Sequence, residues 1–250
     1  MYSIYYNYKT NEMRSKNVLV ILSILLISIT VTIPVAYAAD VFHKDELPLG
    51  KPYEDWVQDW WKWTASIPDK TFTGAKENGC LINKEGPVVM LVDPAIGGKH
   101  NQRCEISSNQ GILISAWSAE CDGSIEGYQN KPFKALSECA RAYNLGKVSV
   151  NAWVDNKPIA HVEAEDYKTI NLINATELYT KGFNITIPED SNLAVDYPGT
   201  HLGAVHGWFI FIKPLSVGEH TVRYVNDVRS TTLGAGNTNH ADVTYTLNVK

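Results

Sequence analysis

KVSVNAWVDNKPIAHVEAE, residues Lys147–Glu165, alternates apolar and polar side chains with a period of two. Val148, Val150, Ala152 and Val154 fall on one side; Ser149, Asn151 and Trp153 fall on the other. Successive strand side chains point to opposite faces, so this run reads as a strand with one apolar face. Asp155-Asn156 is a turn pair, and Ala160, Val162 and Ala164 repeat the alternation on the way back. The stretch is therefore a β-hairpin. A sheet with one apolar face must be covered by a second layer, which makes the fold at least two-layered.

The same grammar extends toward the C-terminus. Val205–Ile212 carries Trp208-Phe-Ile-Phe-Ile212, apolar on both faces, as a central strand would be. Lys213–Gly218 turns into Glu219–Val225, residues 226–240 read as a polar Gly-rich loop, and Val243, Tyr245, Leu247 and Val249 alternate to the end. Toward the N-terminus, Pro87–Val92 and Gly111–Trp117 are short apolar runs bounded by turn formers, read as buried strands. Residues 68–86, 93–108 and 118–130 read as loops and 166–200 as mixed structure.

Two segments have helical spacing instead. In Tyr53–Ile67, ended by Pro68, a single stripe holds Tyr53, Trp56, Trp60, Trp63 and Ile67. Trp61 projects about 100° from Trp60, at the flank of that stripe. A second helix opens at Pro132, with Phe133, Leu136, Ala140 and Tyr143 on one face and Gly146 as a C′ glycine. The expected architecture is mostly β: a two-sheet β-sandwich, jelly-roll-like, with two appended helices.

The N-terminus sets the compartment. Lys9, Arg14 and Lys16 precede a charge-free apolar run, Val18–Ala36, that exits through Ala36-Tyr37-Ala38. Residues 1–38 are expected to be a signal peptide, leaving 39–250 as a single extracytoplasmic domain beginning at Ala39. An uncleaved anchor is the alternative, because ~20 apolar residues span a bilayer; it is the one route to a membrane this sequence offers. Met13 is an alternative start. After residue 38 the chain has 19 basic and 26 acidic side chains, an excess that gives no electrostatic reason to bind nucleic acid.

Cys80, Cys104, Cys121 and Cys139 all follow the apolar run. Four cysteines in an exported chain imply two disulfides, with three pairings open; Cys80–Cys104 and Cys121–Cys139 are favoured because each closes a local loop. A zinc site would want close pairs such as C-x-x-C, which are absent. A blue-copper set is disfavoured too, since Met90 is the sole methionine after residue 38 and no His closely follows a Cys.

No nucleophile elbow, H-E-x-x-H, P-loop, EF-hand or dinucleotide fingerprint occurs in the chain. The residual candidates are few. His161 and Glu163 share a strand face, and His201 and His206 flank the start of the central strand, so these four are the candidate metal ligands. No cofactor is expected, and a transition metal is the one these residues admit. Trp61 is the candidate ligand platform, because indole faces stack on sugar rings and cations. Asn174-Ala-Thr and Asn184-Ile-Thr are candidate glycosylation sequons.

The block Trp56, Trp60-Trp61-Lys-Trp63, Ile67-Pro68, followed by a Cys and Gly86-Pro-Val, resembles secreted proteins of uncharacterised function from soil bacteria and ammonia-oxidising archaea. The block Gly207-Trp208-Phe, Lys213-Pro-Leu, Gly218-Glu-His220 is similar to the same group, and the resemblance spans most of residues 50–250. It implies export and a single domain, and carries over no catalytic residue. The reading of the whole is an exported, disulfide-stapled binding or structural protein without catalysis, its partner a glycan or cell-envelope component. The alternative is a metal-dependent extracytoplasmic enzyme built on the His/Glu set.

Overall fold

The period-two hairpin forms where the alternation places it, and Asp155 and Asn156 both take positive φ, 51° and 62°, as a tight two-residue turn of this type requires. The computed structural model describes residues 39–93, 97–193, 195–230 and 238–250, with the side chains of residues 76–78 left aside. The expected signal peptide, residues 1–38, lies outside the described residues. Residues Tyr37–Lys250 form one compact unit.

After a short turn at Pro48–Gly50 come helices α1 (Tyr53–Ser66) and α2 (Asp69–Asn78). Strands β1 (Ile82–Asn83), β2 (Val88–Leu91), β3 (Gly98–Ile106) and β4 (Gly111–Asp122) follow, then helix α3 (Phe133–Ala142). The chain continues through β5 (Gly146–Val154), β6 (Lys157–Glu165), β7 (Lys168–Ile173), β8 (Thr176–Tyr179) and β9 (Phe183–Ile187). Three long strands close it: β10 (Gly199–Ile212), β11 (Gly218–Ser230) and β12 (Thr238–Val249). No helix among the described residues is long and apolar enough to cross a membrane.

Two six-stranded sheets result, a two-sheet β-sandwich with appended helices. The first is ordered β1-β2-β4-β10-β8, with β9 also pairing β10; the second is ordered β3-β12-β11-β5-β6-β7. Val89, Ile112, Ile114, Trp208, Ile210 and Ile212 of the first sheet meet Val150, Val162, Val222, Tyr224, Val243 and Tyr245 of the second in one buried core. The opposite face of the first sheet is apolar as well. Leu113, Val205, Phe209 and Phe211 pack there against Tyr53, Trp56, Val57 and Trp60 of α1. β10 is thus covered on both faces, which is why its sequence does not alternate.

Several local readings are corrected. Residues 69–78, read as loop, form α2; its one buried apolar anchor is Phe72, too little to mark a stripe. Gly98–Ile106, also read as loop, is an edge strand running parallel to β12, with Gln102, Cys104 and Ile106 facing inward. The loop expected at 226–240 is shorter: β11 continues to Ser230 and β12 begins at Thr238, while residues 231–237 are outside the described part. Buried Asn226 is tolerated because its Nδ2 donates to the Ala116 carbonyl and its Oδ1 accepts from the Ala241 N–H. Trp63 is half-exposed, because the buried line of α1 runs Trp56, Val57, Trp60, Thr64. Gly146 opens β5 rather than capping α3: its φ is 114°, and a Cβ there would sit 1.9 Å from the Arg229 carbonyl oxygen.

Both disulfides form in the favoured pairing, Cys80–Cys104 and Cys121–Cys139. The first ties the segment after α2 to β3. The second ties α3 to β4.

Candidate functional site

The site begins with an irregularity in β4. Trp208 of β10 pairs with Trp117, but the next residue, Phe209, pairs with Ser115, so Ala116 is an extra residue. Such a bulge re-aims the side chains around it. β10 accommodates it with a glycine: a Cβ on Gly207 would lie 2.4 Å from the Ser118 Cβ and 2.5 Å from the Trp117 carbonyl oxygen. As a result the four consecutive residues Ser115–Ser118 all border one cavity.

That cavity, about 210 Å³, is also lined by Trp60, Trp61 and Thr64 of α1 and by Tyr224 of β11. Trp60, Trp61, Phe72, Trp117 and Tyr224 give it aromatic walls, and Asn192, Asn226 and Asn239 add polar ones. Asp93 lines it too and accepts a hydrogen bond from the Gly97 N–H at 2.7 Å. No Lys, Arg or His side chain lines it among the described residues. Burial first, then the neighbouring Tyr245 and Asp93, push the Tyr224 phenol well above its ordinary range, so this wall stays neutral.

The decisive property is what the walls leave unpaired. The indole Nε1 atoms of Trp61 and Trp117 and the hydroxyl of Thr64 are buried, with no hydrogen-bond partner among the described residues. Buried donors in folded proteins are almost always matched, and each exception asks for a cause such as a ligand or ordered water. The other polar groups at the cavity are already engaged. Ser115 and Ser118 hydroxyls bond each other at 2.6 Å, and Trp60 Nε1 donates to the Leu91 carbonyl at 2.8 Å. Trp61 was legible in the sequence as a platform; Trp117 and Thr64 were not. The available signal was Trp117 ending an apolar run beside Ser115 and Ser118, but a bulge leaves no trace in composition.

The candidate metal ligands are placed otherwise. His161 and Glu163 lie on the outer face of the second sheet, where His161 Nδ1 meets Asn151 Oδ1 at 2.9 Å. His201 and His206 belong to β10 in the first sheet, and His201 Nε2 meets the Tyr197 carbonyl at 2.8 Å. Among the described residues no group of three or more His, Cys, Asp or Glu could hold a metal ion.

His206 is fully buried inside a polar network. Asn144 Nδ2 donates to the His206 carbonyl at 3.0 Å and also lies 2.8 Å from His206 Nδ1. A carbonyl accepts only, so the amide group must face it, and Nδ1 then accepts as well. The ring proton therefore sits on Nε2, which donates to Glu177 Oε1 at 3.2 Å. Glu177 Oε2 accepts from the Thr169 hydroxyl at 2.7 Å, and Thr169 in turn accepts from Trp208 Nε1 at 3.1 Å. The hydrogen bond from His206 is the main cause that holds the Glu177 carboxyl below its ordinary range. Tyr179 stacks on the imidazole with ring centroids 4.1 Å apart. This imidazole faces protein on every side and orients the end of α3 against β10; it is not presented to a substrate.

Of the sequons, Asn184 is exposed on β9, whereas the Asn174 amide donates to the Ile159 carbonyl at 2.9 Å.

No protein-family model matches the chain, and no curated protein matches it. Among solved structures it is similar to the cysteine protease inhibitor of Entamoeba histolytica, at 12% identity and a TM-score of 0.24, over 65% of this chain and 96% of that one. A likeness at this level carries no argument about fold or function.

Proposed function

We propose that this chain is an exported, disulfide-stapled binding protein whose ligand is a small ring-bearing molecule held in the tryptophan-lined cavity. Export is supported by the basic flank, apolar run and small-residue exit before Ala39, and by two disulfides, which persist in oxidising compartments. One observation carries the binding role: Trp61, Trp117 and Thr64, three residues that line one cavity, each keep a buried hydrogen-bonding group without a partner among the described residues. An apolar pocket with a few convergent polar groups is the usual form of a small-molecule site. Catalysis has no part in this reading.

The test uses the indole N–H groups as reporters. In 15N-labelled protein, the Trp61 and Trp117 indole resonances, assigned through Trp61→Phe and Trp117→Phe, are followed while a panel of neutral and charged ring compounds is added. Shifts of these two indoles, with Trp56, which does not line the cavity, unmoved, are expected for at least one compound. A panel that moves neither indole would contradict the binding role.

A further inference from the structure

We infer that the ligand is a small organic ammonium, one ring carrying one positive charge, with Asp93 as its counter-ion; this inference rests on the binding role proposed above. The first argument is the charge of the lining. Among the described residues that line the cavity, Asp93 is the one charged side chain. The stretches 94–96 and 231–237, which adjoin it in sequence, contain no Lys, Arg or His. A cavity lined this way selects a cation, which meets a partner there instead of being buried unpaired. An anion would be buried beside a like charge, and a neutral ring would gain nothing from Asp93.

The second argument is that this carboxylate is held in place. Trp60 Nε1 donates to the Leu91 carbonyl at 2.8 Å and the Tyr245 hydroxyl to the Val92 carbonyl at 2.6 Å, so two buried aromatic side chains fix the main chain that leads into Asp93. The Gly97 N–H then anchors Asp93 Oδ2. The charge is felt at the wall: burial first, and this carboxylate after it, raise the phenols of Tyr224 and Tyr245. Other polar groups of the lining are committed elsewhere. Asn226 bonds the Ala116 carbonyl and the Ala241 N–H, and the Ser115 and Ser118 hydroxyls bond each other.

The third argument is the rings. Trp60 and Trp61 come from α1, Phe72 from α2, Trp117 from β4 and Tyr224 from β11, so aromatic side chains of four elements border the cavity. Ring faces carry the negative part of the aromatic quadrupole and attract a cation, those of Trp most strongly. A bare inorganic cation would give up its water to rings that cannot replace it. An organic ammonium keeps its charge by Asp93 and buries its apolar part against the same rings. A cavity of about 210 Å³ is below the ~300–1,000 Å³ that holds drug-sized ligands, so it takes about one ring.

The experiment uses three compounds that share a phenyl ring and differ in the charge of its substituent: benzylamine, benzyl alcohol and benzoate. Each is titrated at about pH 6.5, where the amine is protonated and the benzoate ionised, into the full chain while the Trp61 and Trp117 indole resonances are followed. Benzylammonium is expected to bind about ten-fold more tightly than benzyl alcohol, and benzoate more weakly than both. In Asp93→Asn, whose amide oxygen can still accept from the Gly97 N–H, the ratio of the first two affinities is expected to fall to about three-fold, the share due to the rings. Should Asp93→Asn fold poorly, the charge series on the unmodified chain decides by itself. Benzyl alcohol or benzoate binding as tightly as benzylammonium would overturn the ammonium inference while leaving the binding role intact. An unchanged ratio in Asp93→Asn would overturn Asp93 as the counter-ion. Silence of the indoles toward all three, when other ring compounds in the panel move them, overturns the ammonium inference alone. Silence toward every compound removes the binding role itself.

Discussion

Two polar clusters in this molecule are built from similar parts and end differently. At the α3 end of β10, Trp208 donates to Thr169, Thr169 to Glu177, His206 to Glu177, and Asn144 to His206. Each of these donors has an acceptor, and the atom left over there among the described residues is an acceptor, Asn144 Oδ1. Around the cavity beside the bulge of β4, the donor atoms of Trp61, Trp117 and Thr64 are buried and have none among the described residues. An indole in the first cluster is structure; an indole in the second is an unmet demand. The difference teaches that residue type does not mark a site; an unmatched buried donor is a cue that needs a cavity beside it, because it lowers stability by about 1–3 kcal/mol unless something supplies the acceptor.

That contrast can be broken at several points. The largest effect is expected at the most deeply buried tryptophan of α1. Trp60→Ala should lower stability by about 3–5 kcal/mol, since it empties the space between α1 and the first sheet and removes the bond to Leu91. Denaturant unfolding measures it, and Trp61→Ala, half-exposed, should cost far less. A similar loss from both would mean the two faces of α1 are not energetically distinct.

Opening Cys121–Cys139 by the double change to Ala comes next, at about 2–5 kcal/mol. This bridge holds α3 on β4, so hydrogen exchange at Asn144 and His206 should accelerate, while exchange around the bulge should not. Uniform acceleration would show that the two clusters share one cooperative unit.

Asn144→Ala should cost about 1–3 kcal/mol, because it strands the His206 acceptors inside the protein. A neutral result, read from thermal melts, would mean water satisfies that ring and the network is not closed.

A smaller, pH-gated effect is expected at Glu120. It lies two residues before Asp122 on the same face of β4, and burial first, then the Asp122 carboxyl, raise its carboxyl well above the ordinary range. A group raised in the folded state contributes stability below its unfolded value, about 4.3, and loses it as pH climbs through the folded value. Glu120→Gln removes the charge that must otherwise be suppressed. It should melt a few degrees higher than the parent at pH 7 and match it near pH 4. A gain of the same size at both pH values would point to packing rather than titration.

The frame of the molecule was legible because it rests on short-range patterns. Period-two alternation in Lys147–Glu165 and the doubly apolar Val205–Ile212 each report directly which faces are covered. What escaped depends on long-range partners. β3 is a strand because β12, far along the chain, lends it a ladder, and its inward positions include Gln102, whose amide bonds the Ala75 carbonyl and the Leu81 N–H. α2 is held chiefly by Phe72. The site was half legible: Trp61 stood out as an indole off the buried stripe, and Thr64 lies about one turn further along the same helix, but Trp117 sits on β4, where one extra residue in the pairing with β10 sets its place. The four histidine and glutamate candidates were plausible by residue type, and the fold puts two on each sheet.

The most direct measurement compares tryptophan with phenylalanine at four positions, because that change keeps a large ring and deletes the indole N–H. Melts and denaturant curves are recorded for Trp60→Phe, Trp208→Phe, Trp61→Phe and Trp117→Phe. Trp60→Phe and Trp208→Phe, which orphan the Leu91 carbonyl and the Thr169 oxygen, should each cost about 1–3 kcal/mol. Trp61→Phe and Trp117→Phe delete donors that have no acceptor among the described residues, and should be neutral or slightly stabilising while abolishing the response to ligand. Four losses of equal size would show that the cavity indoles are bonded like the others, and the distinction between the two clusters would fall.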